Sequence, residues 1–372
     1  MTSPELDWIS IEGFKSIANS GKIFLRPINL VIGANGVGKS NFIGAFYFLQ
    51  ALREGRLQDY VKESGGANEV LHFGTQNTSE IKFEFASSGE VNSYKIVLRC
   101  NDQDNLFPQT EICRFWNKAQ YSSALERWLQ AESQGLEAGI SNTRPVGIAD
   151  WVRTRINRLR IYHVHDTSKT SPLRKTNKID DNDFLRDDGS NLAAFLYRLH
   201  ETEYHDTYQL IRKTVQGIAP FFDDFFLRPD NLNPETIKLA WKHKGSDKYF
   251  GASSLSDGTL RFIALATLLL QPVNLRPSVI LIDEPELGLH PAAISLLASL
   301  IHRASEKTQV IAATQSPILL DYFSPEDVLV AESKDNGTTF SRLNPSDYDQ
   351  WLEEFSLGQL WEKNYLGGRP RP

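Results

Sequence analysis

Cysteine is nearly absent from this sequence, and so are long apolar runs and any surplus of positive charge. Its 372 residues include two cysteines, Cys100 and Cys113. Their spacing forms no metal-binding motif and nothing points to an oxidising compartment, so both read as reduced, buried thiols of a cytoplasmic protein. The longest apolar run, residues 262–270, falls far short of the roughly 20 residues a membrane helix needs, so no membrane contact is expected. The opening residues carry neither the basic nor the apolar section of a secretory signal. Lys and Arg number 40 against 46 Asp and Glu, a formal net charge of −6. Nucleic acid could therefore be held only by a local basic patch. No heptad pattern is sustained, which excludes a long coiled-coil arm.

What is present is a phosphate loop. Gly33, Ala34, Asn35, Gly36, Val37, Gly38, Lys39 and Ser40 match G-x-x-x-x-G-K-[ST], between an apolar run at 28–32 and a helical pattern at 41–52. That strand–loop–helix context is what gives the motif meaning. From average residue frequencies, a chance match in this length is on the order of 1%. The glycines let backbone amides turn toward a phosphate, and the helix N-terminus adds partial positive charge. Lys39 can reach the β- and γ-phosphates of ATP, and the Ser40 hydroxyl can hold Mg²⁺. The alternative, a glycine-rich turn closing a strand, does not explain the Lys-Ser pair.

The rest of the chain reads as α/β. Residues 10–32 form short strands around a turn at Gly21, while 81–85 and 94–99 alternate as antiparallel strands. A strand at 111–116 and an amphipathic helix near 122–131 follow. Residues 159–165 make another strand, and 166–188 a flexible loop, basic and then acidic. Helices at 189–202 and 204–218 form a helical lobe, with a short strand at 237–242 and a helix at 259–271 after it. The apolar strands 279–282 and 309–313 flank a helix at 291–305, the pattern of a parallel sheet.

The strand at 279–282 ends in Asp283 and Glu284. Asp283 can complete a Mg²⁺ shell, and Glu284 can position or deprotonate an attacking water. Upstream stands Leu255-Ser256-Asp257-Gly258. A Ser-x-Gly turn at a helix start binds anions, though Ser256 equally suits a plain N-cap.

In this order, the motifs resemble the ABC-type ATPases, and within them the RecF/SMC-like group. Ile11 to Ser16 (I-E-G-F-K-S), the phosphate loop, L-S-D-G-T-L-R, I-D-E-P-E-L-G-L-H-P and A-A-T-Q-S-P carry the likeness. The tail F-S-L-G-Q-L-W-E-K-N is similar to bacterial AAA_21-type ATPases. The resemblance implies one ABC-type head over 1–372, with a mixed sheet, an antiparallel β subdomain and a helical lobe. Its approximate lobes are 1–165, 166–258, 259–330 and 331–372. It further implies a homodimer or higher homo-oligomer with two ATPs sandwiched, Ser256 and Gly258 of one copy facing the γ-phosphate held by the other. Glu286, Leu287, Gly288, Leu289 and His290 would be the D-loop. Gln315 stands where many such enzymes have a histidine and cannot become cationic, so slow hydrolysis is expected. The coupling glutamine of the family has no clear equivalent; His165 to Ser168 and Gln76 are the candidates.

Arg153, Arg155, Arg158, Arg160, Lys169, Arg174, Lys175 and Lys178 concentrate positive charge and suggest a DNA- or RNA-facing patch, or a solvated face paired with nearby acids. His163 and His165 alternate along the strand without ligand spacing, and read as packed or hydrogen-bonded side chains. Phe221, Phe222, Phe225 and Phe226 read as core. No nuclease-like acid cluster follows Gln315. Three functions stay open: an ATP-driven switch for a separate effector, such as a nuclease or toxin in phage defence; a RecF-like DNA repair ATPase; and an ATP-bound scaffold.

Overall fold

The computed structural model describes residues 5–129, 135–144, 146–164, 166–334 and 337–368. Two six-stranded sheets organise it. The mixed sheet runs in the order Gly337–Arg342, Val328–Lys334, Ile28–Ile32, Gln309–Ala313, Val279–Asp283 and Leu159–Tyr162. All its neighbours are parallel except the first pair, which is antiparallel. Ile28–Ile32 and Gln309–Ala313 are buried at every position, which is why they read as unbroken apolar runs.

Because side chains alternate across a strand, each central strand feeds two cores. Leu30, Ile280, Ile282 and Val310 join the helices Leu192–Glu201, His205–Ile218, Asp257–Leu270 and Pro291–Ser305 on one face. Val31, Val279, Leu281 and Ile311 join the helix Lys39–Glu54 and the second sheet on the other. That second sheet is wholly antiparallel, in the order Ile17–Phe24, Trp8–Phe14, Glu80–Ser87, Asn92–Cys100, Leu106–Phe115, Leu125–Trp128. The expected architecture of mixed sheet, antiparallel subdomain and helical lobe is present. Among the described residues no helix is long and apolar enough to cross a membrane.

Several local expectations are corrected. The segment near 122–131 is not helical where it is described: Leu125–Trp128 is an edge strand on Leu106–Phe115, tied by an Arg114–Glu126 pair at 2.6 Å. An open sheet edge offers backbone partners that outweigh a weak helical pattern. The first hairpin turns at Lys15 (φ 48°), not at Gly21. Gly21 lies where the register slips, so its positive φ serves a bulge. The strand at 159 ends at Tyr162, and 166–188 contains a short strand, Asn177–Lys178, paired with Thr236–Ile237. Of the four phenylalanines read as core, Phe222 and Phe225 are buried but Phe221 is 41% exposed. Phe226 stacks on Tyr249.

Candidate functional site

The central strand Ile28–Ile32 of the mixed sheet runs into the phosphate loop, and the helix Lys39–Glu54 leaves it. Gly33, Gly36 and Gly38 all have positive φ. A Cβ on Gly33 would lie 2.5 Å from the Ala331 carbonyl oxygen, and one on Gly38 would lie 2.3 Å from Thr338 Oγ1. The amides of Gly36, Gly38, Lys39 and Ser40 find no acceptor within the described residues, so the loop presents converging donors of the kind that hold a phosphate. Ala34 departs from this: its amide donates to the Gly368 carbonyl at 2.5 Å, which fastens the C-terminal segment to the loop.

Lys39 is buried and donates to the carbonyls of Gly33 (2.8 Å) and Ala34 (2.9 Å). Burial pushes its ammonium pKa down, while the carboxylates of Glu284, Asp283 and Glu286 oppose that shift. Ser40 donates its hydroxyl to Asp283 Oδ2 at 2.9 Å. The hydroxyl and carboxylate expected to hold Mg²⁺ therefore stand side by side, and hard oxygen donors suit that ion.

The neighbouring acids are built into the strand ends. Glu284 takes a left-handed backbone (φ 40°), with its amide on the Ala313 carbonyl at 2.8 Å. Its carboxylate accepts a hydrogen bond from the Gln315 side-chain amide. Glu286, predicted only as a D-loop member, accepts from Thr314 Oγ1 at 2.7 Å and from the Gln315 amide at 3.1 Å. Burial raises its pKa, partly offset by those bonds. Glu286 thus fixes the backbone of Gln315, whose side chain meets Glu284.

The Ser256–Gly258 turn opens the helix Asp257–Leu270. Ser256 caps the helix Asp257–Leu270, accepting from the Thr259 amide at 3.1 Å, so the N-cap reading holds within this chain. A Cβ on Gly258 would lie 2.5 Å from the Gly288 carbonyl, which brings this turn against the D-loop segment. Arg261, the last residue of the L-S-D-G-T-L-R motif, is buried and donates to the carbonyls of Val164 (2.9 Å) and Leu287. The motif assigns it no role, because its acceptors are backbone atoms distant in sequence.

Lys15 and His163 were likewise not read as site residues. With Ser40, Asp283, Tyr47 and Tyr60 they line a cavity of about 290 Å³. Ser16 joins the hairpin turn to the loop: its hydroxyl lies 2.8 Å from Thr338 Oγ1, which donates to the Val37 carbonyl at 2.7 Å, and Asn41 donates to Ser16 Oγ at 2.8 Å. Of the coupling-loop candidates, His165 lies outside the described residues. Asp166 to Ser168 form a turn closed by the Ser168 amide on Asp166 at 2.9 Å, and Gln76 is an exposed residue after Gly74.

Within the basic window Arg158, Lys169, Lys175 and Lys178 are exposed, whereas other members are engaged. Arg153 donates to the Thr143 carbonyl at 3.1 Å and pairs with Asp150 at 3.4 Å. Arg155 pairs with Glu5 and lies over Trp151, and Arg160 lies over Phe184. Arg158 is exposed and has no side-chain partner among the described residues. No His, Cys, Asp and Glu cluster suited to a metal occurs among the described residues.

A family model, AAA_21, described as "AAA domain, putative AbiEii toxin, Type IV TA system", matches residues 28–321. Among solved structures, the chain is similar to an SMC head bound to the C-winged helix domain of ScpA, with a TM-score of 0.58 and 14% identity. That alignment covers 92% of this chain and 99% of the other. It is also similar to an SMC head with an extended coiled coil, bound to the C-terminal domain of ScpA derived from Pyrococcus furiosus. There the TM-score is 0.58 at 15% identity, covering 94% of this chain and 99% of that one. At such identity the likeness is one of fold. No curated protein matches the sequence.

Proposed function

This chain belongs to the AAA_21 family and has the ABC-type head fold of SMC proteins, and on that premise we propose that it binds and hydrolyses ATP as a dimer with composite sites, switching a separate effector protein. The observation that carries the reading is the 2.9 Å contact between Ser40 and Asp283, beside a loop of unpaired amides. Phosphate oxygens would take the amides of Gly36, Gly38, Lys39 and Ser40, and the Lys39 ammonium would exchange its loop carbonyls for the β- and γ-phosphates. Ser40 and Asp283 would hold Mg²⁺, which supplies charge neutralisation.

Glu284 orients the attacking water and accepts its proton as the bond from the β–γ bridging oxygen to the γ-phosphorus breaks. ADP leaves with that electron pair, and inorganic phosphate forms. Gln315 holds the Glu284 carboxylate with one N–H and leaves its carbonyl to accept from the water. Lacking a cationic form, it stabilises the transition state less than histidine would, so turnover is slow. Ser256 and Gly258 of a second copy close over the γ-phosphate.

The effector is a protein such as a nuclease or toxin. Supporting it are the toxin named in the family description and the ScpA domains bound to both SMC heads.

The test is Glu284→Gln. Hydrolysis should fall by roughly 10²–10⁴-fold, the contribution of a positioned base, with ATP binding retained. The variant should accumulate as an ATP-dependent dimer in light scattering, and adding Ser256→Arg should dissociate it. Wild-type turnover in Glu284→Gln refutes the catalytic role. Closure unaffected by Ser256→Arg refutes composite sites.

A further inference from the structure

Arg174 sits in the basic window, yet the fold withdraws it from solvent: its side chain is 9% exposed. The guanidinium donates to the Thr167 carbonyl at 3.0 Å and to Asp257 Oδ1 at 2.7 Å. It also donates to the Ala252 carbonyl, and lies 3.4 and 3.5 Å from the Leu255 carbonyl oxygen through its two terminal nitrogens. Ala252 and Leu255 precede Ser256 and Asp257 follows it, so one planar cation grips the Ser256–Gly258 turn, the signature turn, from both sides.

The platform beneath Arg174 is firm. Ser171 is fully buried, donates its hydroxyl to the Asp166 carbonyl and accepts from the Leu173 amide at 3.2 Å; Leu173 is in the core. The same segment leads back to His163, in the wall of the cavity that Ser40 and Asp283 share. Arg174 therefore bridges the loop that follows the strand Leu159–Tyr162 and the turn that carries Ser256.

We propose that Arg174 is a positioning residue for the composite site, holding the Ser256–Gly258 turn in the shape that closes on the nucleotide of a second copy. The proposal rests on the dimeric reading above. A rigid five-donor fork suits this arrangement, whereas lysine, a point charge with three donors, can satisfy only part of it.

The experiment compares Arg174→Ala, Arg174→Lys and Ser256→Arg, each in the Glu284→Gln background, reading MgATP affinity by calorimetry and ATP-dependent dimerisation by sedimentation. Arg174→Ala is expected to leave nucleotide affinity near that of the parent and to weaken dimerisation by roughly 10- to 100-fold, the loss of hydrogen bonds from a charged group. Arg174→Lys should fall between. Asp257→Ala removes a 70% exposed partner of Arg174, and should weaken dimerisation in the same direction. Should Arg174→Ala fail to fold, the Lys and Asp257→Ala variants decide, and parental dimerisation in both overturns the proposal. Parental dimerisation in Arg174→Ala, or an equal loss of nucleotide affinity, overturns it while leaving composite sites intact. Dimerisation that survives Ser256→Arg instead removes the composite-site reading, and this proposal with it.

Discussion

Lys39 shows how one side chain is prepared for a charged ligand. Burial opposes its charge, three carboxylates partly offset that, and two loop carbonyls accept its hydrogen bonds. Lys39→Ala should abolish ATP binding, because the point charge on the β- and γ-phosphates is lost; near-normal affinity in titration calorimetry would refute the phosphate-loop reading. Lys39, Ser40, Asp283 and Glu284 are legible in sequence because each sits at a fixed offset within one strand–loop unit. Glu286 was only a D-loop position there. Its bonds to Thr314 and Gln315 join two strand ends that adjoin because Val279–Asp283 and Gln309–Ala313 pair in parallel.

At the scale of elements, the helix Asp257–Leu270 carries the turn of Ser256 and is docked rather than free. Gly258 lets it approach the Gly288 carbonyl, and Arg261 bonds the Leu287 carbonyl from the next turn. Gly258→Ala should therefore cost about 1–3 kcal/mol, the usual range for overpacking, read by urea unfolding. An unchanged midpoint would mean the helix and the 287–288 segment yield easily. The strand Leu125–Trp128 makes the complementary point. Its residues suit a helix on local pattern, and the unsatisfied edge of Leu106–Phe115 decides otherwise.

For the whole molecule, the basic window separates charge in sequence from charge on a surface. Arg153 and Arg155 are engaged with Asp150 and Glu5, Arg174 with the signature turn, and Arg158 alone of the arginine quartet is exposed without a partner among the described residues. Reversing Arg153, Arg155, Arg158 and Arg160 to Glu together should lower the melting temperature. Arg158→Glu alone should change stability by no more than about 0.5 kcal/mol, as exposed substitutions usually do. A quadruple variant that melts like the parent would mean the ion pairs contribute nothing and the arginines are available to a polyanion.

The sequence by itself determined the class of chemistry. A phosphate loop, the Asp283-Glu284 strand end and a Ser-x-Gly helix start are local patterns, each set by a few consecutive residues and the backbone they favour. It also determined the layered architecture, since buried parallel strands and amphipathic helices announce themselves by period. Only the tertiary structure decided which distant residues complete these patterns: Ser16 and Thr338 beside the loop, Gly368 on Ala34, Glu286 behind Gln315, Arg261 and Arg174 around the signature turn. Many of those contacts end on backbone carbonyls or amides, which every residue possesses, so no side-chain pattern could have foretold them.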